Sequence, residues 1–165
     1  MIIGFIIFSF VLESIVSNLV PINTNFFNPC FVLVSLIVLY PYFDKYSKKY
    51  LITCLIVGFI YDLVFTSTLF FFSIIFLILG LIIKYICSKI SNNFISVNIL
   101  TLIIIILFRV IVYFTLVVTN YFVYDFNYLI KGIYSSILLN VIYASILFLL
   151  TEIIGKKFNI KKKYD

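Results

Sequence analysis

SVNILTLIIIILFRVIVYFTLVVTNY, residues 96–121, is a largely apolar run holding one charge, Arg109. A helix rises about 1.5 Å per residue, so a run of this length outreaches the roughly 30 Å of a bilayer core. Five further stretches read the same way: Ile2 to Val20, Phe26 to Phe43, Tyr50 to Thr66, Leu69 to Cys87 and Tyr128 to Ile154. The chain has 165 residues, 65% of them apolar and 11% charged, a balance foreign to soluble domains. The sequence therefore predicts an all-α integral membrane protein of six transmembrane helices.

Lysines between the stretches set the orientation. With the amino terminus inside, Lys45, Lys48, Lys49, Lys84, Lys89, Lys156, Lys157, Lys161, Lys162 and Lys163 all face the cytoplasm, and only Lys131, beside Asp125, faces out. Such a bias over short loops predicts both termini inside. The start Met1-Ile2-Ile3-Gly4 lacks the basic region of a cleaved signal peptide, so the first helix is expected to stay. The reading is one six-helix domain over residues 1–155 and a basic cytoplasmic tail over 156–165. That tail suits anionic lipid rather than nucleic acid. Tyr40, Tyr42, Tyr50, Tyr121, Tyr124 and Tyr128 lie near span ends and read as interfacial anchors.

Catalytic and metal chemistry find little support. The chain has no histidine, and Cys30, Cys54 and Cys87 fall in different apolar segments, as packing thiols do. No Gly-rich phosphate loop or nucleophile elbow is present. Tyr61-Asp62 lacks the second intramembrane aspartate of an aspartyl dyad. No enzyme activity, metal or cofactor is expected.

What breaks the apolar pattern is informative. Glu13, Asp62 and Arg109 lie in three predicted spans, each about 10 to 13 residues from the cytoplasmic end and so roughly 15 to 20 Å deep. Charges at that depth are costly and seek partners. An arginine fork can bridge two carboxylates, so an intramembrane cluster of Glu13, Arg109 and Asp62 is expected, with Asn140 near the same level to supply amide bonds. One arginine against two acids nearly neutralises itself, which favours a static clamp between helices over a proton, ion or small-molecule site. Gly58, four residues before Asp62, shares its helical face and invites close approach of a neighbour; Gly80 is expected to act similarly. Gly132 in the sixth span is expected to act as Gly80 does, each alone being a weak signal. Pro29 suits the start of the second span and Pro41 its end.

The residues Asn28-Pro29-Cys30-Phe31-Val32-Leu33-Val34, then the basic loop, then Gly58-Phe59-Ile60-Tyr61-Asp62-Leu63-Val64-Phe65-Thr66-Ser67, resemble the rod-shape-determining MreD family in order, spacing and topology. The chain departs from that family at Thr68, Leu69 and Phe70, where members carry a glycine after the turn. The resemblance implies a non-enzymatic subunit of the cell-wall elongation machinery in the bacterial cytoplasmic membrane. Such a subunit binds a bitopic MreC-like protein and sits with a RodA-type glycosyltransferase, its transpeptidase and the MreB filament. The alternative is a six-helix substrate-binding subunit of a vitamin-type transporter. Its discriminating feature, a repeated small-residue surface on helix one, is missing from Gly4-Phe5-Ile6-Ile7-Phe8-Ser9.

Overall fold

A computed structural model describes residues 1–19, 29–43, 48–66, 69–121, 123–158 and 162, and among these the regular structure is entirely helical. The helices are α1 (Ile2–Leu19), α2 (Phe31–Leu39), α3 (Lys49–Phe65), α4 (Phe71–Cys87), α5 (Phe94–Val118) and α6 (Phe126–Lys157). By length and composition α1, α5 and α6 are able to cross a membrane. Phe31–Tyr42 and α4 are shorter apolar helices.

Polarity is arranged inside out. Ser9, Glu13, Asp62, Ser136, Asn140 and Thr151 are buried, while Ile3, Leu63, Leu81, Ile95 and Ile153 stand exposed. Water would penalise this surface; a hydrocarbon solvent leaves apolar side chains outside and forces polar groups to find partners within.

At the centre stands α2, apolar on every face and buried at every one of its residues. A helix without a polar stripe has no side to show to water, so it becomes the core around which others pack. Leu33, Leu36 and Ile37 join one cluster with Ile104 of α5 and Leu79 and Ile83 of α4. Phe31, Val34 and Val38 join a second with Ile105, Ala144 and Leu147 of α5 and α6. Pro41 follows directly: α-helix gives way to a 3-10 turn over Tyr40–Tyr42 and then to extended backbone at Phe43. Proline lacks the N–H that another helical turn would need.

α3 and α4 form the tightest hairpin. A Cβ added to Gly58 would stand 2.6 Å from Ser73 Cα and 2.7 Å from the Phe72 carbonyl oxygen, and one added to Gly80 would stand 2.8 Å from Cys54 Sγ. Both glycines thus admit the partner helix where any side chain would hold it off. Gly4 and Gly132 have nothing within 4 Å.

Two sequence readings are refined here. Tyr121, Tyr124 and Tyr128 are exposed as span-end anchors would be, but Tyr40, Tyr42 and Tyr50 are buried. The rings of Tyr40 and Phe43 meet that of Tyr50 edge-on at 4.8 and 5.3 Å. The Tyr50 hydroxyl donates to the Leu36 carbonyl and that of Tyr42 to the Thr151 carbonyl. An internal aromatic plug replaces half of the expected belt, because the short α2 draws its trailing turn inward. At the other end, α6 continues through Lys156 and Lys157 without a break at residue 155. Lys162 pairs with Glu152 and lies over the Phe148 ring.

Candidate functional site

Helix starts create the demand that organises the interior. The first N–H groups of a helix have no intrahelical acceptor, and in an apolar interior no water replaces one. α2 begins after Cys30, whose side chain makes no capping bond, and α4 begins after Phe70, equally without one. Both ends are completed by side chains from other helices.

At α2, the Val32 N–H donates to Glu13 Oε2 at 2.9 Å, and the Cys30 N–H donates to Asn140 Oδ1 at 2.8 Å. Tyr61 of α3 donates its hydroxyl to Glu13 Oε1 at 2.7 Å. Arg109 of α5 donates through Nε to Ser136 Oγ at 2.7 Å and through Nη2 to Cys30 Sγ at 3.5 Å. Asn140 Nδ2 in turn donates to the Ser136 carbonyl at 2.6 Å. Glu13, Arg109 and Asn140 therefore converge with Pro29 and Cys30 on the start of the central helix. A carboxylate at a helix N-terminus meets the positive end of the helix dipole as well as free donors.

Asp62 is engaged elsewhere. Its Oδ1 accepts from the Phe72 N–H at 3.1 Å, and its Oδ2 accepts from the Ser73 N–H at 3.1 Å and the Ser73 hydroxyl at 3.3 Å. It caps α4 across the turn. Tyr61 and Asp62 serve different helix ends because adjacent residues on a helix point about 100° apart. Tyr61 thus faces α1 while Asp62, on the face of Gly58, looks at α4. Gly58 and Asp62 act together, the glycine admitting the first turn of α4 and the aspartate closing its donors.

The third hairpin follows the same logic with different groups. Asp125 caps α6 locally, accepting from the Asn127 N–H at 2.9 Å, while the Asp125 N–H donates to the Tyr113 hydroxyl of α5 at 2.7 Å. A further buried pair, Ser9 and Tyr143, joins α1 to α6 at 2.7 Å.

Sequence reading singled out the charged members of this network and missed Tyr61, Cys30, Ser73 and Ser136 in these roles. Tyr61 was findable, since it lies one helical step from Asp62. Serines and a cysteine in apolar spans carry no such signal. Among the described residues no group of three His, Cys, Asp or Glu side chains is placed to hold a metal ion. What the arrangement does chemically is to satisfy helix ends in an apolar solvent.

No curated protein and no solved structure matches the chain. A protein-family model does, over residues 1–158: rod shape-determining protein MreD. Nearly the whole chain is covered, including all three capped hairpins and the glycine contact between α3 and α4. The chain belongs to the MreD family of rod shape-determining membrane proteins.

Proposed function

We propose that this chain is a non-catalytic subunit of a bacterial cell-wall elongation complex, acting through helix faces offered to partner membrane proteins. The family match over residues 1–158 carries the reading. In this proposal the chain is a six-span protein of the cytoplasmic membrane with both termini inside, as the ten-to-one distribution of loop and tail lysines supports. The buried polar network is the clamp that holds the helices in register, and the basic tail lies on anionic lipid. The first partner is a bitopic MreC-like protein; a RodA-type glycosyltransferase, its transpeptidase and the MreB filament complete the assembly.

The docking face assigned to it is the outward side of α3. Leu55, Phe59 and Leu63 recur at four-residue spacing, and Leu55 and Leu63 are exposed. In-cell photo-crosslinking from Phe59 or Leu63, with products identified by mass spectrometry, tests it. Capture of an MreC-like bitopic protein is the expected result. Capture of an ATPase-linked transport module would instead favour the transporter alternative, which no observation now supports, and lipid adducts alone would remove α3 as the docking face.

A further inference from the structure

α1 and α3 meet where Phe10 packs on Tyr61 and Phe65 and Tyr61 donates to Glu13, and beside that contact a gap opens between them. The gap is a groove of about 750 Å³ walled by Ile7, Phe10 and Val11 of α1 and by Ile56, Ile60 and Val64 of α3. Its polar members are Ser14 and Thr53, and the Thr53 hydroxyl is turned back onto the Lys49 carbonyl of its own helix at 2.9 Å. At the α3 start a second space, lined by Tyr42, Phe43 and Lys49, borders the groove and shares Ile3 and Thr53 with it.

We propose that this groove holds an anionic phospholipid, its acyl chain lying between α1 and α3 and its phosphate at Lys49. Three observations favour lipid over a protein helix. First, the walls are Ile, Val and Phe, with neither Gly nor Ala among the lining residues, whereas helices approach one another closely in a membrane over small residues. Second, the groove runs along α1 from Ile3 to Ile15, about 18 Å by helix rise. That is close to the roughly 15 Å of one leaflet and well short of the roughly 30 Å a crossing helix occupies. Third, the polarity is that of an amphiphile: an apolar channel whose α3-start end lies beside the Lys49 ammonium, the group that attracts an anionic headgroup. Leu55, Phe59 and Leu63 lie on a different side of α3, so the site is independent of the protein-docking face proposed above.

The test uses the full chain in nanodiscs of equimolar phosphatidylglycerol and phosphatidylcholine, with retained lipid counted by native mass spectrometry after transfer to detergent. The wild type is expected to retain phosphatidylglycerol about fivefold over phosphatidylcholine, the preference one lysine near an anionic headgroup confers. Lys49→Gln is expected to erase that preference while lipid still binds. Ile56→Trp, at an exposed position, fills the groove and is expected to lose lipid of both kinds with its melting temperature unchanged. Equal retention of the two lipids by the wild type, or undiminished retention by a folded Ile56→Trp, would overturn the site. A protein crosslinked to a photo-probe at Ile60 would overturn it in favour of a helix.

Discussion

The α1–α2 and α3–α4 hairpins solve one problem at two scales. In both, a carboxylate on the outgoing helix accepts from the first N–H groups of the returning helix: Glu13 for Val32, Asp62 for Phe72 and Ser73. In α3–α4 the solution is local, with glycine and aspartate one turn apart on one face and their targets some ten residues on. In α1–α2 it is global. The start of α2 draws Glu13 from α1, Tyr61 from α3 and Asn140 from α6, with Arg109 of α5 on Cys30. A local cap stabilises a hairpin, whereas a shared cap fixes where four helices sit around a fifth.

The largest break should come at Gly58. Valine there sets a branched Cβ against α4 backbone that cannot yield, and overpacking of about 1 to 3 kcal/mol or more is expected, read as loss of folded protein in membranes. Gly132→Ala is the matched control: nothing lies within 4 Å, so abundance and melting temperature should hold. Next comes Glu13→Ala, which orphans the Val32 N–H and the Tyr61 hydroxyl and is expected to cost about 2 kcal/mol in all. Adding Tyr61→Phe removes one orphan, so the double variant should melt higher than Glu13→Ala alone; a further drop would mean that the tyrosine matters to α2 by its ring packing instead.

Asp62→Ala should cost less, about 0.5 to 2 kcal/mol as for loss of a helix cap, and Asp62→Asn, keeping one acceptor, about half of that. Hydrogen exchange sharpens the contrast. Asp62→Ala should speed exchange at Phe72 and Ser73 and spare α2, while Glu13→Ala should loosen α2 and its neighbours together. A purely backbone effect concerns Phe70, which holds φ 63° at the start of α4, a left-handed conformation that side chains resist. Phe70→Gly and Phe70→Ala both lose the ring contact with Phe59, so their difference isolates the backbone: glycine should be more stable by about 1 to 2 kcal/mol.

These residues also show why sequence reading reached some features and not others. Gly58 with Asp62 was legible as a pair because both lie on one helix at a known spacing, although the backbone N–H groups of Phe72 and Ser73 among the donors to the aspartate were not. Backbone donors are invisible to any search for complementary side chains. The left-handed angle of Phe70 was not legible either, since a phenylalanine carries no signal for positive φ. The buried place of α2 was not legible, since lipid and protein core accept the same apolar residues and hydropathy does not distinguish them. Its shortness was hidden by apolar flanks, the residues ahead of Pro29 lying outside those described.

The shared cap has a consequence in time. Cys30 waits for Asn140, 110 positions further along the chain, so at about 5 to 20 residues per second several seconds of synthesis separate donor from acceptor. During that interval the start of α2 is an unfinished polar end, and a nascent chain halted after α5 would carry it permanently. The start of the central helix is thus closed only once α6 has been made, long after its own hairpin has been threaded.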